Sequence, residues 1–179
     1  MKESLQYNHF KLHTQYSICE GAIKIEDLKD RCKLDKIRCL GISDTSNLCG
    51  ALEFSQCVSK SGTQPIIGTQ INFKYENEIG LLTLVAKNNI GYSQIIELSS
   101  KSYLDRNELD ISHCKFEDLF IDTKNMFVMS GTINGLFGKL FNKGKLNDIE
   151  NLYKSLSKKF KNNFYIEIQR HKDANEKSF

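Results

Sequence analysis

Short apolar runs alternate along this chain with longer stretches of helical period, a pattern that predicts repeated βα units around a mostly parallel sheet or barrel. The order begins with a strand over residues 10 to 16. A helix follows from Ile23 to Lys33, with Ile23, Leu28 and Cys32 facing inward. Next comes a buried strand, CLGIS, from Cys39 to Ser43, ending at Asp44. Leu48, Ala51, Leu52, Ser55 and Val58 then repeat at helical spacing up to Gly62, where a glycine suits the end of a helix. The only proline, Pro65, opens a strand that runs to Phe73. Further strands are expected at 81 to 86, 126 to 131 and 164 to 168, and further helices at 92 to 103 and 146 to 160. The stretch from 105 to 125 is polar and reads as irregular. Six strands and a polar tail after Arg170 leave a parallel barrel unclosed, so the chain is expected to be an incomplete piece whose closing strands are missing.

The chain has 179 residues, 40% of them hydrophobic and 26% charged, which suits a single domain with a sizeable core and excludes disordered and collagenous classes. Twenty-five basic against 22 acidic residues give a net charge of +3, too mild to mark a DNA-coating protein. No window is apolar enough for a membrane span, and Met1 to Asn8 carries no signal-peptide core, so the expectation is a cytoplasmic protein with no membrane contact. The six cysteines form no C-x-x-C pair. Cys32, Cys39, Cys49 and Cys57 fall at apolar positions and are read as core thiols in a reducing compartment.

The densest chemistry lies in LHTQYSICEGA, residues 12 to 22, and in ISDTSN, residues 42 to 47. Strand ends converge on one mouth in βα folds, so His13, Glu20 and Asp44 could meet as metal ligands or as an acid/base set. The plainer reading, which spacing alone favours, has Asp44 and Ser46 capping the following helix and His13 as a hydrogen-bonded rim residue. GTINGLFGK, 131 to 139, fails as a phosphate loop because Ile133 and Leu140 stand where a glycine and a hydroxyl are needed. The basic run KSLSKKFKNN, 154 to 163, sets Lys154, Lys158 and Lys161 opposite Leu152, Leu156 and Phe160. It reads as a solvated helix face, with weak DNA-backbone contact as the alternative. Arg170 and His171 follow the last strand as rim hydrogen-bonders or as part of the same mouth.

The ordered blocks FKLHTQYSICEGAIKIEDL, LGISDTSNLCGALEF, QPIIGTQINF, LTLVAKNNIGY, VMSGTINGLFGKL and FYIEIQRH resemble the amino-terminal PHP (polymerase and histidinol phosphatase) domain of bacterial DNA polymerase III alpha subunits, from about Phe10 to His171. The resemblance implies a distorted (βα)7 barrel with a metal cluster at its mouth in active members. It places the first motif's two histidines at Lys11 and His13 and its aspartate at Glu20. The T-D-H motif falls on Thr45 beside the matching Asp44, the glutamate of G-x-E on Gln70, a further histidine on Leu81, and the cysteine of S-G-C on Thr132. Further ligands from the last strands would lie beyond Phe179.

Thr, Gln and Leu are too poor as donors for a multimetal site, and an ammonium at Lys11 would repel a divalent cation while pairing with Glu20 or Asp44. These eight positions are therefore expected to be vestigial, with no catalytic residue and no bound metal; if a metal binds at all, His13, Glu20 and Asp44 would hold it. The resemblance further implies a scaffold that docks the proofreading exonuclease subunit within the polymerase holoenzyme. DNA would be met through the parent protein, whose polymerase domain uses Mg. The alternatives are a metal-dependent phosphoesterase or pyrophosphatase, and a free-standing interaction module.

Overall fold

The computed structural model describes residues 7–105, 109–121 and 123–169. The chain folds as two compact units, residues 1–69 and 70–179. In the first, α1 (Ile25–Leu34), β1 (Cys39–Thr45), α2 (Ala51–Ser59) and the opening half of β2 (Gln64–Tyr75) enclose one apolar cluster. Ile25, Leu28, Cys32, Leu40, Ile42, Phe54 and Val58 form that cluster, with Leu12, Tyr16, Ile37, Cys57 and Ile67 packed around it. Each large side chain so buried contributes about 1.5–3 kcal/mol. The inward face of α1 repeats at 25, 28 and 32, so Ile25 holds the place expected of Ile23, which is 41% exposed. Glu26 and Asp27 in its first turn and Arg31 and Lys33 in its last complement the helix dipole. In α2 the buried face is Ala51, Phe54 and Val58, and Leu52 points outward at 70% exposure.

The expected first strand does not form. Segment 9–14 lies along β1 but makes only isolated bridges, Leu12 to Ile42 and Thr14 to Ile23, and at Thr14 it turns away through a run of turns to Glu20.

The second unit continues β2 and adds β3 (Glu78–Ala86), α3 (Asn89–Leu104), β4 (Cys114–Lys115), β5 (Met126–Met129), α4 (Leu136–Asn142), α5 (Leu146–Phe160) and β6 (Phe164–Tyr165). The protein is α/β, as the periodicity predicts, but the sheet is mixed. β2 pairs β4 and β5 pairs β6 in parallel, whereas β3 pairs β5 antiparallel with Thr83 opposite Met129 and Ala86 opposite Met126. Only two residues separate β2 from β3, too few for the crossover that parallel neighbours require. The polar stretch 105–125 is not wholly irregular. It supplies β4 and a 3₁₀ turn, Phe116–Phe120, which bury Cys114, Phe116 and Leu119. The last strand is two residues long, shorter than the expected 164 to 168.

α3 starts at Asn88, whose side chain accepts from the Gly91 amide at 3.0 Å and donates to Asn125 Oδ1 at 2.9 Å. A Cβ on Gly91 would sit 1.9 Å from the Asn125 carbonyl oxygen, so AKN-x-x-GY is a helix cap with a backbone crossing that only glycine admits. Among the described residues, no helix is long and apolar enough to cross a membrane.

Of the four cysteines expected in the core, Cys32 is buried, Cys39 and Cys57 are half-buried, and Cys49 is exposed because it lies in the turn before α2. Cys114 is also buried, donating to the Leu98 carbonyl at 3.1 Å, and desolvation pushes its thiol up to about 12.

Candidate functional site

Asp44, at the carboxyl end of β1, is 1% exposed. Its Oδ1 accepts from the Thr14 amide at 2.6 Å and from the Ser17 hydroxyl at 2.6 Å, and its Oδ2 accepts from the Thr14 hydroxyl at 2.7 Å. The Asp44 carbonyl accepts from Thr69 Oγ1 at 2.7 Å, a hydroxyl shared with the Asn47 carbonyl at 2.9 Å. A buried carboxylate must be satisfied by donors or a counter-ion, and here neutral hydroxyls and one amide do it. The sequence reading of Asp44 as a helix cap is corrected. The N-cap of α2 is Gly50 with no side-chain bond, and Ser46, at φ 59°, belongs to an intervening left-handed turn.

Ser17 is the hub of this network. Its single proton goes to Asp44, while its oxygen accepts from the Thr45 amide at 3.1 Å and lies 3.3 Å from His13 Nδ1. A hydroxyl with its proton already committed can only accept, so Nδ1 of His13 carries the hydrogen. His13 Nδ1 also lies 4.0 Å from Glu20 Oε2, and that oxygen accepts from Thr45 Oγ1 at 2.6 Å. His13 is thus a hydrogen-bonded rim residue, in line with the plainer reading of the sequence. Gly21 makes the loop possible: a Cβ there would fall 1.9 Å from the Thr14 carbonyl oxygen. Tyr16 donates to Glu53 Oε2 at 2.7 Å, and this carboxylate raises the phenol above its ordinary pKa.

Lys11 shares a cavity of about 530 Å³ with His9, His13, Glu20, Arg31 and Asp35. Of the two acids expected to pair with Lys11, Asp44 bonds through its carboxylate to Thr14 and Ser17. The first unit therefore brings together Lys11, His13, Glu20, Asp44 and Thr45. The remaining positions lie in the second unit. Gln70 is 5% exposed and donates through Nε2 to Thr83 Oγ1 at 3.1 Å. Leu81 and Thr132 are neighbours across a tight turn, where a Cβ on Gly135 would meet the Leu81 carbonyl at 2.9 Å and the Thr132 carbonyl at 3.2 Å. Arg170 and His171 lie outside the described residues.

As a donor set for divalent ions these groups fit poorly. In the first unit both oxygens of Asp44 are engaged by internal donors and Glu20 Oε2 accepts from the Thr45 hydroxyl, while in the second unit Gln70 and Thr132 offer neutral oxygens only. Among the described residues, no group of three or more His, Cys, Asp or Glu side chains is placed to hold a metal ion.

Thr14 and Ser17 lie in the stretch 12 to 22 where the sequence concentrates its chemistry, but their bonds to Asp44, and the part of Thr69, are not expected from it. Thr14 and Ser17 stand three apart in a turn just before a glycine, and a turn of that kind, facing a strand that ends in aspartate, is the signal that could have found them.

The PHP domain model matches residues 9–171. The DNA polymerase III subunit alpha of Borreliella burgdorferi is 31% identical over 181 residues, covering 93% of this chain and 15% of that protein. Its counterpart in Pasteurella multocida is 32% identical over 168 residues, covering 92% of this chain and 14% of that protein. The chain thus spans about 15% of the length of the curated relatives it matches. Among solved structures, an amidohydrolase from Chromobacterium violaceum, with bound sulfate and no metal, superposes with a TM-score of 0.41 at 12% identity, over 52% of this chain and 34% of that one. The match across residues 9–171, together with sequence similarity extending over nearly all of the chain, means that this chain belongs to the PHP domain family.

Proposed function

We propose that this PHP domain is the amino-terminal part of a replicative DNA polymerase III alpha subunit in the cytoplasm of a bacterium, and that it acts there as a non-catalytic scaffold docking the proofreading exonuclease subunit. Polymerisation and its Mg ions then belong to another domain of the parent protein. The observation that supports the scaffold reading is the hydrogen bonding of Asp44. A carboxylate whose two oxygens already accept three short bonds from Thr14 and Ser17 is a poor metal ligand, because coordination would first have to break those bonds. Without a metal-bound hydroxide, phosphate-ester hydrolysis lacks its nucleophile. Lys11 stands where the family motif has a histidine, and its ammonium supplies positive charge at the mouth in place of a divalent ion.

The test is co-purification of the polymerase alpha subunit carrying this domain with the exonuclease subunit. Retention of the exonuclease by the intact protein and its loss when residues 9–171 are deleted is the expected result. Equal retention by both would remove the docking role.

A second reading is kept by one observation, that His13 and Glu20 remain 4.0 Å apart on an open cavity. It makes the domain a metal-dependent phosphoesterase or pyrophosphatase. Release of p-nitrophenol from p-nitrophenyl phosphate with added manganese, abolished by His13→Ala, would establish it in place of the scaffold.

A further inference from the structure

Between Thr123 and Gln169 the chain carries eight lysines, at 124, 139, 143, 145, 154, 158, 159 and 161, against the acids Asp148, Glu150 and Glu167. Their partners divide them. Lys143 and Lys145 meet Glu78, Lys139 Nζ donates to the Ile79 carbonyl, and Lys154 pairs with Glu150. The group at the far end of α5 is different. Lys87 Nζ donates to Asn163 Oδ1 at 2.9 Å and lies 5.0 Å from the Phe127 ring centre, and Lys159 Nζ lies 5.8 Å from that of Phe120. Asn163 also donates to the Thr123 and Lys124 carbonyls, at 3.0 and 3.3 Å, so one side chain ties Lys87, the 123–124 loop and the turn after α5 into one surface. Lys87, Lys124, Lys158, Lys159 and Lys161 are all exposed there. Among the described residues, no acidic side chain comes within 4.0 Å of Lys87, Lys158, Lys159 or Lys161.

Lysines in the last turn of a helix are ordinarily complements to the helix dipole. That account covers Lys158 and Lys159 but neither Lys87, which follows β3, nor Lys161, which has left the helix at φ 51°. We propose that this surface, centred on Asn163, binds the phosphate backbone of nucleic acid without reading sequence. Five exposed ammonium groups on one surface suit the repeated phosphates of a nucleic-acid backbone, met as point charges. Asn162, exposed beside them, adds an amide donor of the kind that contacts phosphate and sugar. The inference stands apart from the metal state of the first unit and from exonuclease docking, since every residue in it belongs to the second unit.

The experiment is fluorescence anisotropy of the full chain with a fluorescein-labelled single strand and its duplex, titrated at several salt concentrations. Lys158→Glu with Lys161→Glu should weaken binding about tenfold or more, and the neutral pair Lys158→Gln with Lys161→Gln should lower the log–log salt slope by about 1.4–1.8. The charge-matched control Lys33→Glu with Lys60→Glu, in the first unit, should change affinity by less than about twofold. Equal losses from both charge reversals, or no binding by the unaltered chain at about 50 mM salt, would overturn the proposal. So would poly-glutamate displacing the oligonucleotide as well as unlabelled DNA does, which would assign the surface to an acidic protein.

Discussion

Among the described residues two carboxylates are buried, Asp44 in the first unit and Glu78 in the second, and they are held in opposite ways. Asp44 is 1% exposed and accepts from two hydroxyls and an amide of the loop that follows segment 9–14. Glu78 is 6% exposed and is clamped by two ammonium groups, with Lys143 Nζ 2.8 Å from both carboxylate oxygens and Lys145 Nζ at 3.5 Å. The hydrogen bonds from Lys143 are the main reason why the Glu78 carboxyl sits below its ordinary range, against the opposing effect of burial. One carboxylate is held by neutral hydroxyls and an amide, the other by two ammonium groups. A metal site would need the first carboxylate without its donors. In the second unit lysines balance the charge of a buried acid.

The largest effect should come from Asp44→Ala, which leaves the Thr14 amide and the Thr14 and Ser17 hydroxyls without acceptors. Urea unfolding is expected to show a loss of about 4 kcal/mol. Asp44→Asn should cost about half as much, because a carboxamide keeps one acceptor oxygen but turns an NH₂ toward donors. If both variants unfold at the urea midpoint of the unaltered chain, the network carries no stability.

Glu78→Gln comes next. Lys143 is 57% exposed and keeps much of its hydration, so a loss of about 1–2 kcal/mol is expected rather than the larger cost of a fully buried broken pair. The folded carboxyl is depressed relative to the unfolded one. The stabilisation from Glu78 is therefore present above the ordinary glutamate pKa and is lost as pH falls through the folded value. Thermal unfolding between about pH 6 and pH 3 should decline less steeply in the variant than in the unaltered chain; parallel curves would refute the linkage.

The smallest effect concerns the thiols. At pH 8 a thiol reagent should modify exposed Cys19 and Cys49 rapidly, while Cys114, buried and raised to about 12, reacts only on unfolding. Mass-spectrometric mapping of the modified cysteines checks this, and early labelling of Cys114 would show that the core around β4 opens.

Much of this architecture was legible in the sequence where one periodicity dominates. The helix 146–160 has the bounds expected of it, because Leu152, Leu156 and Phe160 recur on one face of a segment whose other face is rich in lysine. The strand at 126–129 also follows from its apolar run, although it ends two residues short of the expected 131, and β3, expected at 81 to 86, already begins at Glu78. What failed depends on partners far along the chain. Residues 10 to 16 read as a strand, but a ladder needs continuous pairing, and the chain turns at Thr14 to place two hydroxyls on Asp44. Local spacing favoured helix capping for Asp44, since Ser-Asp-Thr-Ser before a helix is capping chemistry. A hydroxyl thirty residues earlier in the chain was the stronger donor. Of the candidate site, the grouping of His13, Glu20 and Asp44 on one unit was readable from strand ends, whereas the commitment of Asp44 to Thr14 and Ser17 was not.

That commitment is the central claim, and a calorimetric titration of the full chain with zinc and with manganese tests it most directly. The account predicts no stoichiometric heat for the unaltered protein, and none for Lys11→His alone, because Asp44 stays bonded to its hydroxyl donors. Tight one-to-one or two-to-one binding by the unaltered chain, abolished by His13→Ala, would contradict it.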